Sequence, residues 1–477
     1  MTSRLPSLLL ALIGTAFAEL SPDLPAVTLS RSPAGQVTLD WPTVPGQTYR
    51  LERSASMAAA EWQTVRPTEE ATGLPMTFTE TPEATTLFYR LAVDPAKPLV
   101  SKIAVMGDSI TAQTSRNLYH ISAMGYSGWA RFFGGARWDL VANPADNTRR
   151  FATSGKRAFE VSALHLSQVI AAAPDACIIV YGTNDAAQLS PSVASFRTQI
   201  LSDWSALRDA GIQPVAVTVL PIGSATMDNS ARQARVVELN TVLREETAAQ
   251  QIPLCDWTGL LEAVPGSNTG VGLNAHYQNN DDYHPLQFPA SLIGRALNAT
   301  LQQHFRFGID PWQNTGWITP NVALDGSNGQ PTGNWQIFPP SGSTIDSKTL
   351  IPSPEGNWWE IAFTKGSSTG NFYVNAFGTN LGGSPAGHTV EAVTELQVMS
   401  GSIAGAFLQT GSGLATDMNE AGGTGAQILP SDGIVVLRTP PVLVPAGTTN
   451  VIPTLGFRSN DPTATVRIRR CGIRKLD

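Results

Sequence analysis

The sequence predicts an open α/β fold, a parallel sheet flanked by helices, set between two all-β sandwich domains. Three observations carry this expectation. From about Leu99 to Phe307 short apolar runs alternate with longer helical segments, the pattern of a parallel sheet with crossover helices. Before it, short β-prone runs are punctuated by turn residues. After Asp310 the helical pattern disappears and Gly, Ser, Thr and Pro dominate, interrupted by strand-like runs.

At the N-terminus, Arg4, the apolar stretch Leu8 to Ile13 and Ala16-Phe17-Ala18 match a secretory signal peptide over residues 1–18, cut after Ala18. The expected location is secreted, periplasmic or cell-surface. That run is too short to span a bilayer and no later stretch approaches 18 apolar residues, so no stable membrane insertion is expected. Residues 19–97 read as a small β-sandwich, similar to fibronectin III-like modules. Its strands are expected at Gln36 to Trp41, Thr48 to Arg53, Pro75 to Thr79 and Leu87 to Val93, with Trp41, Tyr49, Trp62 and Tyr89 as core aromatics. Asp94-Pro95-Ala96-Lys97-Pro98 reads as a linker.

Residues 98–308 carry the α/β pattern. Lys102 to Met106, Asp175 to Tyr181, Gln213 to Leu220 and Ile252 to Trp257 are apolar runs of the kind a sheet buries on both faces. Ala158 to Ala172, Val193 to Ala210, Ala231 to Gln250 and Pro285 to His304 are the intervening helices. Such sheets bind ligands at the carboxyl ends of their strands. Residues 309–477 predict a larger sandwich of jelly-roll character, with strand-like runs at Trp358 to Thr364, Phe372 to Phe377, Thr389 to Met399, Gly433 to Arg438 and Thr465 to Ile473. Trp312, Trp317, Trp335, Trp358, Trp359 and Tyr373 concentrate here. Half of them are expected in the core, with one of Trp358 and Trp359 facing outward, and the rest are candidates to stack on sugar rings.

The chain of 477 residues has a formal charge of -7 and a pI near 5.5, which argues against nucleic acid as a partner. Its basic run, Arg467 to Lys475, reads as a strand with a solvated arginine face. Three cysteines do not make a disulfide framework. Cys177 and Cys255 fall on strands expected to be separated by a third, so a bond between them is not expected. The six histidines show no zinc-ligand spacing.

Three short segments suggest chemistry: Gly107-Asp108-Ser109-Ile110, Gly182-Thr183-Asn184-Asp185 and Asp281-Asp282-Tyr283-His284. Acyl transfer needs a nucleophile, a base that takes and returns its proton, and donors aimed at the developing oxyanion. Ser109 follows the first strand of the α/β region and is the candidate nucleophile, at the start of a helix whose N–H groups and dipole favour negative charge. His284 is the candidate base and Asp281 the carboxylate that orients it, with Asp282 as the alternative partner. Asn184 offers a neutral side-chain donor. Gly155 is a candidate backbone donor, since glycine lets a ligand approach closely; Gly134, Gly135 and Gly182 also lie near that edge.

Ile103 to Ile110, Gly155, Gly182 to Asp185 and Asp281 to His284 resemble, in order, the four sequence blocks of the SGNH, or GDSL-type, hydrolase superfamily. The second block is the loosest fit, because Lys156, Arg157 and Phe159 stand where the family has small residues. The resemblance implies a flavodoxin-like, five-stranded parallel sheet. It also implies a catalytic triad of Ser109, His284 and Asp281, an oxyanion hole of Ser109, Gly155 and Asn184, and no cofactor or metal. The expected function is a secreted serine esterase that removes O-acyl groups, foremost O-acetyl, from a carbohydrate, with polysaccharide binding through the last domain. A lipolytic esterase or lysophospholipase is the alternative within hydrolases. A glycan-binding surface protein with an inactive hydrolase domain is the alternative of another class.

Overall fold

The computed structural model describes residues 8–12, 27–43, 48–55, 62–70, 74–81, 87–94, 97–278, 281–312, 335–353, 356–367, 370–376, 386–410, 414–419, 428–448 and 451–477. The chain divides into two compact units, residues 1–99 and 100–477.

The first unit has two sheets. One runs Thr28–Arg31, Val37–Trp41, Met76–Glu80; the other runs Leu8–Leu12, Leu87–Asp94, Thr48–Ser54, Gln63–Glu70. Strict alternation along Val37–Trp41 sends Val37, Leu39 and Trp41 inward, where they join Tyr49, Leu51, Leu87, Tyr89 and Leu91 in one core. Trp62 is a correction to the expected core. It is half-buried, with the Arg90 guanidinium 4.4 Å above its ring, a position that lets a large ring keep one edge wet. Leu8–Leu12, in the apolar stretch read as an export signal, pairs parallel with Leu87–Leu91.

In the second unit, six strands form an all-parallel sheet: β1 (Lys102–Gly107), β2 (Asp139–Leu140), β3 (Phe151–Ala152), β4 (Ala176–Val180), β5 (Gln213–Val217) and β6 (Leu254–Cys255). Their order is β2-β1-β4-β5-β6, with β3 paired to the far end of β1. The continuous apolar runs of β1 and β4 have a simple cause. Ile103 and Val105 of β1, with Ile178 and Val180 of β4, face one core; Ala104, Met106, Cys177 and Ile179 face another. Helices α2 (Tyr126–Phe133), α7 (Thr258–Leu261) and α8 (Gln287–His304) cover the first face. The second is covered by α3 (Ala158–Ala172), α5 (Val193–Asp209) and α6 (Ser230–Gln250). Two one-turn helices, α1 (Ser109–Ala112) and α4 (Thr183–Ala187), follow β1 and β4. The cysteines are buried free thiols, and β5 separates Cys177 from Cys255.

From Trp335 onward two further sheets share one core. One runs Thr344–Ile351, Trp358–Thr364, Thr463–Lys475, Thr389–Ser400, Ile434–Arg438; the other includes Ala415–Asn419, Ile403–Thr410, Pro453–Ser459, Phe372–Ala376 and Trp335–Phe338. Ile361 and Phe363 from the first meet Phe372, Leu455 and Phe457 from the second.

Two expectations for this region fail. Trp358 and Trp359 are both buried: Trp359 in the core, Trp358 beneath the Arg469 guanidinium at 4.2 Å. Trp312 is partly buried under Arg470, Tyr373 is exposed, and Trp317 and the side chain of Trp335 lie outside the described residues. Nor is the arginine face of the last strand solvated throughout. Arg469 and Arg474 are buried and paired with Glu395 and Glu391, each at 2.5 Å, because carboxylates on Thr389–Ser400 stand opposite them across the ladder.

These sheets are built into the α/β region. Trp129 and Phe132 of α2 and Ala290 of α8 belong to their core. His120–Ser122, which hairpins with Ser115–Asn117, pairs parallel with Ala415–Asn419. A charged network crosses the junction: Arg131 meets Asp417 at 2.9 Å, while Arg438 meets Asp139 at 2.5 Å and Glu391 at 3.1 Å. Arg295 holds both oxygens of Asp432, at 2.7 and 2.8 Å. No described helix is long and apolar enough to cross a membrane.

Candidate functional site

Ser109 and Asn184 sit at the carboxyl ends of two adjacent strands. β1 ends at Gly107 and β4 at Val180, in register with each other. Gly107 is required by space: a Cβ there would lie 2.4 Å from Thr111 Oγ1 and 2.6 Å from the Val180 carbonyl oxygen. Gly182 is required by conformation, with φ at +106° at the N-cap of α4. These two residues turn the chain sharply enough to expose Ser109 and Asn184, both half-buried, on the strand edge. As α1 is a single turn, its dipole contributes little beyond its free N–H groups.

His284 lies in the loop before α8. Gln278 N donates to the His284 carbonyl at 3.0 Å and Leu286 N to the His276 carbonyl at 2.9 Å, which pins the loop on both sides of the imidazole. Asp281 Oδ2 meets His284 Nδ1 at 2.5 Å, and Asp281 Oδ1 accepts from the amides of Tyr283 at 2.7 Å and His284 at 3.0 Å. Burial works against ionisation of Asp281, but those amides and the imidazole outweigh it and hold its pKa below the ordinary carboxylate value.

The choice between neighbouring carboxylates is therefore settled by hydrogen bonding. Asp282 points the other way. It is buried, and accepts from Ala225 N at 2.8 Å, Thr226 Oγ1 at 2.7 Å and Asn229 Nδ2 at 2.9 Å. Among the described residues no hydrogen bond joins Ser109 Oγ to His284, a contact that often tightens only with substrate in place. The imidazole is close enough to act on Asp108, the residue before the serine, whose ionisation it favours.

Asn184 Nδ2 donates to the Lys156 carbonyl at 3.1 Å and to Asp108 Oδ2 at 3.3 Å. Both amide hydrogens are engaged, so a substrate oxygen would take one over from these acceptors. The Lys156 contact also ties Asn184 to the Gly155 loop. Gly155 is exposed with φ at +75°, and a Cβ there would meet nothing within 4 Å. Backbone conformation, rather than close approach, calls for glycine here. The bulky residues after it are tied to one another: Arg157 pairs with Glu160 at 2.8 Å and lies 4.7 Å over the Phe159 ring. Gly134 and Gly135 instead end α2.

Two carboxylates beneath the site were not singled out by sequence. Asp108 caps α1 through the Ile110 amide at 3.0 Å, and burial pushes its pKa up to about 6. Asp185 accepts from Ala158 N at 3.0 Å, its other oxygen is buried without a partner, and burial pushes it to about 7. Each sits inside a recognised segment, but nothing in the sequence distinguishes a buried carboxylate from an exposed one in the same turn. A cavity of about 620 Å³ lies away from these residues, along β2 and the amino-terminal end of β1 at Lys102.

A half-exposed serine and an amide donor on one strand edge, with a carboxylate-bound imidazole in the loop before the last helix, make up the parts of an acyl-transfer site. Residues 105–286 match the GDSL-like Lipase/Acylhydrolase family. The chain thus carries a GDSL-like lipase/acylhydrolase domain, consistent with a carboxylic ester hydrolase. No curated protein matches the chain. Among solved structures, a lipase/acylhydrolase from Enterococcus faecalis is similar at 21% identity, over 45% of this chain and 99% of that one, with a TM-score of 0.35. A carbohydrate esterase family 3 protein from Talaromyces cellulolyticus is similar at 18% identity, over 43% and 97%, with a TM-score of 0.33. At these scores the likeness says nothing of what the present chain binds.

Proposed function

We propose that the protein is an exported serine esterase that removes O-acyl groups, foremost O-acetyl, from a carbohydrate. The observation that carries this reading is the Asp281–His284 contact at 2.5 Å, in a chain whose Ser109 and Asn184 share one strand edge. Its framework is a flavodoxin-like parallel sheet, with five strands in the main order and the short β3 added beside β1, within residues 98–308, between sandwich modules at 19–97 and 309–477. Residues 1–18 act as the export signal.

In this mechanism His284 Nε2 takes the Ser109 proton as Oγ attacks the ester carbonyl, and Asp281 stabilises the imidazolium. The oxyanion is held by the Ser109 and Gly155 amides and by Asn184 Nδ2, which leaves the Lys156 carbonyl or Asp108 to do so. Collapse expels the sugar hydroxyl with the proton from His284. Water, deprotonated by the same imidazole, then cleaves the acyl-enzyme and releases the acid. Acetate release from acetylated glycans, compared with fatty-acid release from long-chain esters, tests the substrate class. Preference for long-chain esters refutes the carbohydrate assignment.

A further inference from the structure

The outer face of one C-terminal sheet carries a row of aromatic rings that the acyl-transfer site does not use. Side chains alternate along its strands. Ile337, Phe372, Val374, Leu408, Leu455 and Phe457 pack in or against the shared core, so Phe338, Tyr373 and Gly456 fall on the opposite face. Phe407 is on that face too, because its ring fills the space where a Gly456 side chain would stand: a Cβ there would lie 2.2 Å from Phe407 Cζ.

The ladders bring these positions into one line. Phe338 stands opposite Tyr373, Tyr373 opposite Gly456, and Gly456 opposite Phe407. The row therefore crosses four adjacent strands, about 14 Å at the usual strand spacing. Tyr373 and Phe407 meet edge to face, with ring centroids 6.0 Å apart and planes at 71°. Exposed aromatic residues scattered singly are ordinary, but a row in register is not. A glycine inside a strand weakens it and often marks a close approach; here the space it leaves lets Phe407 lie against Tyr373 from two strands away.

The surroundings narrow the choice of occupant. Phe338 and Tyr373 are 39% and 38% exposed and Phe407 8%, which offers roughly 150–200 Å² of aromatic surface. A stable protein partner or a second copy of this chain needs about 800 Å² a side. Among the described residues at outward positions of these strands there is no Leu, Ile, Val or Met to receive a lipid chain, and Arg458 is the single charge, too little for a polyanion. One step along the strands Gln409 stands opposite Thr454, both half-buried, and each can hydrogen-bond a hydroxyl group. Flat apolar faces edged by neutral polar groups match a pyranose ring, whose faces carry C–H groups and whose rim carries hydroxyls. The row is longer than one such ring, so it suits a chain rather than a monosaccharide.

We infer that this face is a glycan platform: Phe338 and Tyr373 stack on pyranose rings of a neutral polysaccharide, Phe407 backs Tyr373, and Gln409 and Thr454 hold hydroxyls at the edge of the chain. This inference does not depend on the esterase reading.

The test is affinity electrophoresis of the full-length protein in native gels cast with xylan, galactomannan or mixed-linkage β-glucan, with folding verified by circular dichroism. At least one of the three polymers is expected to retard the protein, equally at low and high salt. Phe338→Ala and Tyr373→Ala are each expected to weaken that binding at least about tenfold, the scale of losing an aromatic anchor, whereas Tyr373→Phe, which keeps the ring, retains it. Should Tyr373→Ala fail to fold, Phe338→Ala, on the last strand of the sheet, decides alone. No retardation by any of the three polymers, retardation that survives both alanine substitutions, or retardation lost at high salt overturns the proposal. So does a concentration-dependent dimer that Tyr373→Ala dissociates, since the face is then a contact between copies.

Discussion

Asp281 Oδ2 meets His284 Nδ1 at 2.5 Å, whereas Asp282, one residue on, turns its carboxylate to Ala225, Thr226 and Asn229. Two adjacent aspartates thus do different work, one orienting an imidazole and the other anchoring the loop after β5. Asp281→Ala is expected to lower kcat on a short-chain ester by about 10³–10⁴ with the fold intact, as loss of a triad carboxylate does. Asp282→Ala is expected to cost about 3 kcal/mol of stability, because it strands buried donors. Paired kinetic and urea-unfolding measurements separate the two; the reverse pattern contradicts the assignment.

Asp185 predicts an unusual pH dependence. Its carboxyl loses a proton near 3.8 in the unfolded chain but near 7 in the fold. Between those values the folded state holds the extra proton, so this group's contribution to stability declines as pH rises from about 4 to about 7 and stays low above. Asp185→Asn keeps an acceptor for Ala158 N and removes the charge. It is expected to stabilise the protein by about 1–3 kcal/mol at pH 8 and to change little at pH 4.5. Urea midpoints at the two pH values check this, and an equal effect at both contradicts it.

Arg438 is buried between Asp139 of the parallel sheet and Glu391 of the C-terminal sheets. Arg438→Ala leaves both carboxylates without that partner and is expected to cost about 3–5 kcal/mol. By the same shared core, deletion of residues 310–477 is expected to abolish activity on a small chromogenic ester as fully as activity on polymer. A truncated protein that retains the small-ester rate contradicts this.

Gly107→Ala places a methyl group against Thr111 and the Val180 carbonyl. The expected loss is about 3 kcal/mol, together with a fall in kcat because α1, which carries Ser109, must shift. Thermal unfolding and ester kinetics on the same preparation check both.

Much of the α/β core was legible because its strands and helices repeat a pattern. Ala158–Ala172 has the predicted bounds, and β1 and β4 differ from prediction by a residue at one or both ends. β2 and β3, two residues each, are too short for any periodicity to show. The proposed triad and Asn184 were legible as motifs, since turns after buried strands draw on few residue types. Burial was not legible. One of Trp358 and Trp359 reads as an outward aromatic until Arg469, from a strand distant in sequence, covers Trp358, and Arg469 and Arg474 read as solvated until Glu395 and Glu391 stand opposite. Such contacts depend on which strands become neighbours, which local sequence does not encode. The same holds for the junction of the C-terminal sheets with α2.

The central claim is that Ser109 is an ester-cleaving nucleophile. Hydrolysis of 4-nitrophenyl acetate by wild-type and Ser109→Ala proteins, with folding verified by circular dichroism, tests it most directly. Wild-type protein is expected to turn over and the variant to lose at least about 10³-fold in kcat. Equal rates for the two folded proteins would contradict the account.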